Sequence, residues 1–338
     1  MVGVESIWGT EVTVTRAYEF DDEGPLQFTP GWIESQGLKA GVVFTSVSRV
    51  VQSRFDVAGD LNMDFVDQGG MGLLLKHALG SAITTPTQIA ATTAYSQIHT
   101  PGPRTGLGLT VQLGRPQTDG TVRPHTYYGC KFAGWEFSVS DNEMAKLRLT
   151  VNGRNENTAT ALAVASYNAS AAPFSFSDAS TFTVGGTAST TGGETTIAGG
   201  TAVTTVATGA TITGEVPMAS ERYGLGNAGN KREQIENGIQ TVTMALTSEY
   251  TSRAEFYDLL KSAGTTAIQL DFSHGDAGGG NAYLLSFVLP ACKVKEGGPH
   301  VGGPDLVDQP ITLQAYSDGT NPVIQIKLVS VDSTLSGA

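Results

Sequence analysis

The chain has 338 residues and a formal net charge of −12, so it is long enough for one large domain or two ordinary ones. This acidic balance argues against a surface that grips nucleic acid, because such a surface needs Lys and Arg to displace counterions. Only 15% of the residues are charged and 42 are Gly, which favours strands and turns over exposed helices and indicates a surface largely covered by partner subunits.

The N-terminus and the cysteines predict synthesis in a reducing cytoplasm. The opening MVGVESIWGTEV has no basic n-region and no apolar h-region, and no apolar run approaches the length of a membrane span. The two cysteines, Cys130 and Cys292, form no CxxC motif and lie within apolar stretches. We therefore expect no signal peptide, no membrane contact and two buried free thiols.

The N-terminal region predicts a weak strand and then loops. Residues 1–20 alternate weakly between apolar and polar side chains, and residues 21–23 form an acidic turn. A long polar loop is expected around residues 31–41, because Gly is frequent there. A strand over residues 42–55 then leads into the next unit.

A strand and a helix follow each other closely between Ser53 and Gly80. Alternation over 60–65 predicts a strand with one dry face and one polar face. The dry face carries Leu61, Met63 and Phe65, and the polar face carries Asp60, Asn62 and Asp64. The apolar residues of the helix lie on one stripe: Met71, Leu74, Leu75, Ala78 and Leu79. Gly80 is placed to end this helix in a left-handed conformation, and His77 is expected on the exposed side.

Residues 239–264 repeat the same pattern. The strand has alternating apolar residues at Val242, Met244 and Leu246, and the helix has Phe256, Leu259, Leu260 and Ala263 on one side. Ser252 and Glu255 have the spacing of a capping box at the helix start. Gly264 occupies the position of Gly80, and Leu61 is matched with Val242.

Further landmarks recur in the same order after each helix. They are a strand (Leu107, Leu109, Val111, Leu113; then Ile268, Leu270, Phe272), a Cys-Lys strand (Cys130-Lys131; then Cys292-Lys293), and a third strand (Leu147, Leu149, Val151; then Ile311, Leu313, Ala315). We interpret the series as a tandem duplication, with residues 1–170 as copy one and 171–338 as copy two. The alternative is that strand–helix–strand motifs are common and coincide here.

The remaining segments are read from composition. Residues 81–104 have no counterpart in copy two and read as an inserted loop. The Thr- and Gly-rich segment 171–215 opens copy two and reads either as disorder or, as we favour, as short hairpins. A loop at 222–238, a turn at 276–280 and a last strand over 323–331 complete the chain.

No motif in the chain predicts an enzyme. Gly224, Gly226 and Gly229 spell GxGxxG, but polar loop flanks them on both sides instead of the strand and helix that a dinucleotide site requires. His274 and Asp276 lie beside a Gly-rich turn without further metal ligands. No GxSxG elbow is present. We therefore expect no catalytic residues, no cofactor and no metal.

The order of three segments resembles that of a known family. The N-terminal VGVESIWGTEVTVTRAYEF, the loop ending in ESQGLKAG and the unit AGDLNMDFVDQGGMGLLLKHALG together resemble the major tail tube proteins of long-tailed, non-contractile bacteriophages, particularly those of actinobacterial hosts. The resemblance covers most of the first half directly and the second half through the repeat.

This resemblance implies a mainly β fold, a β-sandwich or split barrel with a flanking helix, whose rings stack into a tube that conducts DNA. It implies a structural protein of the virion tail, made in the host bacterial cytoplasm, without enzymatic activity. The implied partners are other copies of the chain, the tape measure protein, the tail terminator and the distal tail proteins, while DNA passes without specific binding. A β-rich surface adhesin or decoration protein and a β-rich hydrolase are the alternatives, although export signal and catalytic set are both missing.

Two surfaces follow as hypotheses. Residues opposite the dry strand faces are expected to line a polar, on balance negative lumen, unless this face is ordinary outer surface: Asp60, Asn62, Asp64, Thr110, Gln112, Thr241, Thr243, Gln269 and Asp271. Loop residues are expected to contact the next ring: Trp32, Ile33, Tyr223, Leu225 and Arg232.

The duplication also predicts the ring symmetry. If each chain carries the fold twice, three chains form a ring of pseudo-six-fold appearance. If the chain is instead one tube domain with a dissimilar outer domain, the rings have six chains.

Overall fold

The computed structural model of the chain describes residues 1–37, 41, 43–80, 85–304 and 306–337. These residues form strands, two short 3-10 turns and two α-helices. The strands are β1 (Val2–Val4), β2 (Asp22–Glu34), β3 (Val50–Asp64), β4 (Thr87–Gln88), β5 (Tyr95–His99), β6 (Leu109–Pro116), β7 (Val122–Ser140), β8 (Lys146–Gly153), β9 (Asn155–Asn157), β10 (Ala179–Val184), β11 (Thr187–Thr191), β12 (Glu194–Ala198), β13 (Thr201–Ala202), β14 (Ala207–Glu215), β15 (Thr241–Ser248), β16 (Thr266–Gly278), β17 (Asn281–Glu296), β18 (Ile311–Ala315) and β19 (Gln325–Ser330). The helices are α1 (Met71–Leu79) and α2 (Tyr257–Ser262).

The strands form two layers that share the long strands β7 and β17. One layer, which we call the wall sheet, has the order β2-β3-β8-β7-β14-β15-β18-β17. The other layer contains β1-β6-β7-β9 in the first half and β13-β10-β16-β17-β19-β5-β4 in the second. Both long strands pair with the wall sheet through their C-terminal halves. The prediction of a mainly β fold with few helices is confirmed, and the sheet does not close into a barrel within the described part of the chain.

Most predicted strands are present, but the first 55 residues differ from the prediction. Residues 5–21 contain no strand, apart from a bridge between Val2 and Arg16. Trp32 and Ile33 lie within β2 and not in a loop. Frequent Gly suggested a loop here, but β2 is paired on only one side within the described residues, and such an edge tolerates the missing N–H of its prolines. Val42, the predicted start of the next strand, lies outside the described residues.

Two segments without a clear signal also form strands. Within residues 81–104, β5 pairs with β19 of the second half, so this segment is part of the sheet and not only a loop. Residues 81–84 lie outside the described part. The Thr- and Gly-rich segment forms β10 to β14, including the β11–β12 hairpin, which confirms the hairpin interpretation over disorder.

Helix α1 is buried on nearly every side, so the prediction of a single apolar stripe is incomplete. His77 is 4% exposed, which corrects its expected surface position. The helix packs against β7 and β5, and the C-terminal end of the chain covers its first turn: the Leu73 N–H donates to the Leu335 carbonyl, and the Gly69 and Gly70 N–H groups donate to Asp332. Gly80 ends the helix with φ 76°, as predicted.

Helix α2 is shorter than predicted and only half-buried. It begins at Tyr257, after Phe256, whose side chain is fully buried. The expected capping box does not form, because the Glu255 carboxylate accepts hydrogen bonds from the Thr204 and Thr205 N–H groups. The left-handed residue at its end is Ala263, not Gly264.

One hydrophobic core spans both halves of the chain. The Phe137 ring of β7 lies 5.3 Å from the Phe272 ring and 4.6 Å from the Phe287 ring, both in the second half. Phe65, directly after β3, approaches Phe137 edge-on at 6.0 Å. Both halves therefore contribute to one buried volume, in which Cys130 and Cys292 are buried free thiols.

The hydrogen-bonding registers of the two halves coincide strand by strand. For each pair of corresponding strands, residues at equivalent positions differ in number by the same amount along the strand. In addition, one β-bulge lies on each side of Cys130 in β7, and bulges lie at the equivalent positions around Cys292 in β17. Examples, first half then second, are Leu109–Cys130 and Thr266–Cys292; Val111–Tyr127 and Ile268–Leu289; Gly134–Thr150 and Glu296–Thr312; Leu61–Leu149 and Leu246–Ile311; Asp64–Lys146 and Glu249–Asp308; Ser138–Lys146 and His300–Asp308.

This register corrects two matches made from the sequence. Leu61 corresponds to Leu246 and not to Val242, and Leu149 corresponds to Ile311 and not to Leu313. The cysteines and the lysines that follow them correspond as predicted. Alternating sequences can be slid by an even number of residues without changing which face is apolar, so the pattern alone does not fix the match.

The shared core predicts that Phe137→Ala destabilises the whole chain. The side chain is 1% exposed, and truncating a buried Phe costs about 3–5 kcal/mol of unfolding free energy. Urea unfolding followed by fluorescence and by far-UV circular dichroism should give one shared transition, shifted to lower urea. Val164→Ala, at an exposed position, is the control; separate transitions for the two halves would contradict a common core.

Two buried histidines predict acid sensitivity. Burial lowers the pKa of His77 and of His99 to about 3, with further contributions from Lys76 to both and from Lys131 to His77. The unfolded chain then binds the extra protons, so the unfolding free energy falls as pH drops from 6.5 toward 3, by about 1.4 kcal/mol per pH unit for each histidine. Urea titrations between pH 6.5 and 4.5 measure the slope. His77→Leu and His99→Leu should flatten it, whereas Val164→Leu, at an exposed site without a titratable group, should not; equal slopes in all variants would refute the assignment.

Candidate assembly surfaces

One face of the wall sheet is polar across all eight strands. We call this surface the wall face. Its central row is Asp22, Asn62, Arg148, Glu136, Thr213, Thr243, Gln314 and Lys293, each residue paired with the next across a strand boundary. Neighbouring rows add Asp60, Asp64, Lys146, Thr150, Ser138, Thr211, Glu215, Thr241, Ala245 and Thr312. The opposite side chains of the same strands are buried in the core, because alternation along each strand separates the two faces.

Acidic groups on the first half of the wall face are mostly ion-paired. Arg148 contacts Asp60 at 2.9 Å, and the Lys146 ammonium lies 2.6 Å from Asp64 and 2.7 Å from Asp21. Hydrogen bonds to these two carboxylates raise the pKa of Lys146. Exposed pairs of this kind stabilise the fold little, but they cancel much of the charge that the aspartates alone would present.

Glu136 and Glu215 form no ion pair with any described residue. Glu136 accepts a hydrogen bond from the Thr213 hydroxyl at 3.3 Å, and Glu215 accepts one from the Thr241 hydroxyl at 3.4 Å. At the far edge of the wall face, Lys293 is exposed. The acid is therefore concentrated near the centre of this face, and its total charge is smaller than the sequence pattern suggested.

The structure brings together five of the nine residues predicted for a lumen. They are Asp60, Asn62, Asp64, Thr241 and Thr243, all on the wall face. Thr110 and Gln112 do not lie there, because β6 belongs to the second layer. The Thr110 hydroxyl donates to the buried Glu5 carboxylate, and Gln112 donates to the Thr126 hydroxyl.

Gln269 and Asp271 are also outside the wall face. They lie on β16 in the second layer, where the Gln269 amide donates to Asp271 at 2.7 Å. The prediction assumed that every strand of a unit exposes its polar side to one surface. The bends of β7 and β17 separate two layers, and this bend is not visible as a change in alternation.

Sequence reasoning missed the wall-face residues on β7, β8 and β14. Their signal was present, because Arg148 and Thr150 alternate with buried Leu147, Leu149 and Val151. The β14 strand reads ATGATITGE, in which small residues obscure the same alternation. Only the pairing of β14 with β7 places the two half-walls in one surface.

The residues predicted to contact the next ring lie at one end of the molecule. Trp32 and Ile33 are exposed near the end of the β2–β3 hairpin, and Leu225 is fully exposed in the loop beside it. The Tyr223 hydroxyl donates to the Phe55 carbonyl, while Arg54 lies over the Tyr223 ring at 4.6 Å. Arg232 is exposed in the same loop. The hairpin and the loop thus form one protruding surface, which we call the hairpin end.

The 222–238 loop is exposed in part, but buried cations also anchor it to the rest of the fold. The Lys231 ammonium is completely buried and bonds Asp56 and Asn152. Lys131 of β7 bonds Glu233 at 2.7 Å, and burial lowers the pKa of this lysine. Deleting the whole loop would therefore remove structural contacts together with any assembly contacts.

None of the motifs considered for chemistry forms a site in the described residues. Gly224, Gly226 and Gly229 lie in the anchored loop without a following helix. His274 packs on Phe174 and lies 3.5 Å from Asp67. Within the described ranges, no cluster of three or more His, Cys, Asp or Glu side chains could hold a metal, and no helix has the length and apolar content needed to span a membrane.

Comparison with known proteins adds one match. The family described as phage tail tube protein matches residues 1–315. A search of curated proteins finds no match. The matched region ends with β18, so it includes all eight strands of the wall sheet and both helices.

Two substitutions in one loop should separate folding from assembly. Lys231→Met removes a buried cation and leaves Asp56 unpaired, so we expect a loss of about 1–3 kcal/mol in unfolding free energy. Leu225→Ser changes a fully exposed side chain and should alter stability by less than about 0.5 kcal/mol, while it weakens stacking through the hairpin end. Urea unfolding and negative-stain counts of tube length measure the two effects; tubes of normal length from Leu225→Ser would remove this residue from the ring contacts.

Proposed function

Because the chain belongs to the phage tail tube protein family, it is a structural protein of the virion tail that assembles with itself, and we propose that three copies form each ring of the tube. The rings stack through the hairpin end, and the wall face lines the channel through which DNA leaves the particle. The long-tailed, non-contractile phage type inferred from the sequence fits this proposal.

The observation that carries the proposal is the common hydrogen-bonding register of the two halves. Sheet registers are set by many side chains and bulges together, so two unrelated domains in one chain would not share them along three consecutive strand pairs. We interpret the chain as a tandem duplication, with the copies meeting where β14 pairs with β7. Three chains then supply six equivalent units. The alternative of one tube domain plus a dissimilar outer domain does not account for the shared register.

The width of the wall sheet agrees with a trimeric channel. Eight wall strands per chain give about 24 in a ring of three, at about 4.8 Å between strands and a tilt of about 40°. Such a cylinder measures roughly 48 Å across its backbone. Side chains reduce the bore, which still admits a DNA duplex. Six chains would double the circumference and leave a much wider channel than the cargo needs.

The wall face suits a channel that conducts DNA without holding it. Its cations Lys146 and Arg148 are engaged by carboxylates, so few remain to neutralise phosphates. Glu136 and Glu215 present negative charge near the centre of the face. Phosphates therefore meet hydroxyls, amides and like charge, and the counterion release that drives non-specific binding is small.

The remaining roles follow from the position of a tube in a tail. A tube of fixed diameter encloses the tape measure protein and meets the tail terminator at one end and the distal tail proteins at the other. The chain acts by assembly and not by catalysis, and it is made in the host cytoplasm, where its buried thiols stay reduced. Nothing in the fold or in the family match favours the adhesin or decoration alternative.

The number of chains in each ring can be measured directly. Native mass spectrometry of rings dissociated from tubes should give three chains, and top-view class averages should show six similar lobes. Rings of six chains would refute the trimer while leaving the tail tube role intact.

Reversing the unpaired acids should slow DNA passage. Glu136→Lys with Glu215→Lys places cations where no described carboxylate pairs with them, so phosphates would bind and release would become salt-dependent. Phage particles carrying both substitutions should form normal tails and eject DNA more slowly at low salt, measured with a DNA-binding dye after receptor triggering. Asp119→Lys, in the exposed β6–β7 turn, is the matched charge control. Ejection at the wild-type rate would show that the wall face does not line the lumen.

A further inference from the structure

The junction between the two halves is a strand ladder within one chain. Residues 209–215 of β14 pair antiparallel with residues 134–140 of β7. At this junction Gly214 lies opposite Trp135, and a Cβ at position 214 would overlap the indole ring. The large and the small side chain therefore fit each other across the ladder.

The far edge of the wall sheet continues the register of this junction but has no partner strand among the described residues. By the common register, residues 296–302 correspond to residues 134–140, and the His300–Asp308 bridge continues that register beyond β17. Val301 corresponds to Val139, yet Val301 is 70% exposed and Val139 only 5%. A Cβ added at Gly298 would meet no atom within 4 Å. Residues 296–302 therefore occupy the position of a strand, but among the described residues no neighbouring strand pairs with their outer edge.

The opposite edge of the wall sheet offers the matching strand. β2 corresponds to β14 in the common register and pairs with β3 on one side only. Its other edge is unpaired in the described residues, although unpaired edges are normally covered or blunted. Within the described residues, the wall sheet thus has two open edges: residues 296–302, which correspond to part of β7, and β2, which corresponds to β14.

We propose that residues 296–302 of one copy pair antiparallel with residues 22–29 of the next copy in the ring, in the register of the internal β7–β14 junction. The proposal rests on the tube function and names its intersubunit contact. The pairs it specifies are Thr29–Glu296, Phe28–Gly297, Gln27–Gly298, Gly24–His300, Glu23–Val301 and Asp22–Gly302.

Side-chain sizes at this junction are reciprocal to those of the internal one. Where β7 has Trp135 facing Gly214, the proposed ladder has Gly297 facing Phe28, so the bulky residue changes strands while the pair keeps one large and one small member. Phe28 is half-buried against the core, with its ring 5.6 Å from Phe55. Reciprocal exchange of this kind preserves packing volume between strands.

The prolines of both segments fall where the ladder can omit a hydrogen bond. Pro299 corresponds to Phe137, and its partner position is the β2 bulge at Pro25 and Leu26. Pro299 and Pro25, which both lack an N–H, therefore face each other at the β2 bulge. Bulges and edge strands are the places where sheets accept proline. The ladder remains regular on either side of it.

Cysteine pairs test the register with an internal control. Gln27→Cys with Gly298→Cys should give disulfide-linked dimers and trimers when assembled tubes are oxidised, with the ladder on a non-reducing gel closing at three chains. Thr213→Cys with Glu136→Cys, the equivalent internal pair, should form an intrachain disulfide even in unassembled protein. Thr29→Cys with Gly302→Cys, at opposite ends of the proposed ladder, should not link. Cys130 and Cys292 can remain, because burial raises the pKa of both thiols.

The outcomes distinguish this inference from the function beneath it. Tubes that form without a Gln27–Gly298 link, while the internal pair links, overturn the proposed ladder and leave the tube role standing. A wild-type chain that forms no tubes or rings contradicts the function itself.

A second variant keeps the test independent of the cysteines. Val301→Asp should leave the monomer's midpoint of thermal unfolding unchanged, because the side chain is exposed, and should abolish ring formation at sedimentation equilibrium. Val164→Asp, at another exposed valine, is the matched control. Normal rings from Val301→Asp would overturn the proposal.

Discussion

The bend of β7 between two layers is the constraint on which the rest of the structure depends. A strand of 19 residues that stayed in one sheet would leave half of its backbone groups without partners, or would extend far beyond its neighbours. Instead, its N-terminal half pairs with β6 and β9, and its C-terminal half pairs with β8 and β14. Every buried backbone group of a strand must be hydrogen-bonded somewhere, so this bend fixes which elements face each other across the core. The bulge beside Cys130 is where the strand changes partners.

The same constraint explains why polar and apolar surfaces are so clearly separated. Once β7 and β17 leave the second layer, the wall sheet has one side against the core and one side against water. Aromatic rings from both halves meet around Phe137 on the core side, whereas hydroxyls, amides and charged groups, paired and unpaired, occupy the wall face. A polar surface of this composition suits a structural subunit.

Much of this fold could be predicted from the sequence, and the failures have physical causes. Alternation identified β3, β6, β8, β16 and β18, and Gly80 marked the end of α1, because side-chain periodicity and a left-handed turn are local properties. The burial of His77 could not be predicted, since the strands that pack against α1, β7 and β5, follow it at some distance along the chain. Thr110 and Gln112 were placed on the wrong surface, because alternation tells the two faces of a strand apart but does not say which layer the strand joins. The residues predicted to contact the next ring lie together at the hairpin end, although Trp32 and Ile33 are in a strand, and their contact with another ring stays a prediction.

The covering of α1 by the last residues of the chain has a consequence for biosynthesis. On the ribosome, the helix emerges more than 200 residues before Asp332 and Leu335, which complete its surroundings. Until then the N–H groups of Gly69, Gly70 and Leu73 lack these acceptors, and β5, which also packs against the helix, lacks its pairing with β19. The first half therefore leaves the ribosome with the N-terminal end of an apolar helix uncovered, the kind of intermediate that chaperones bind.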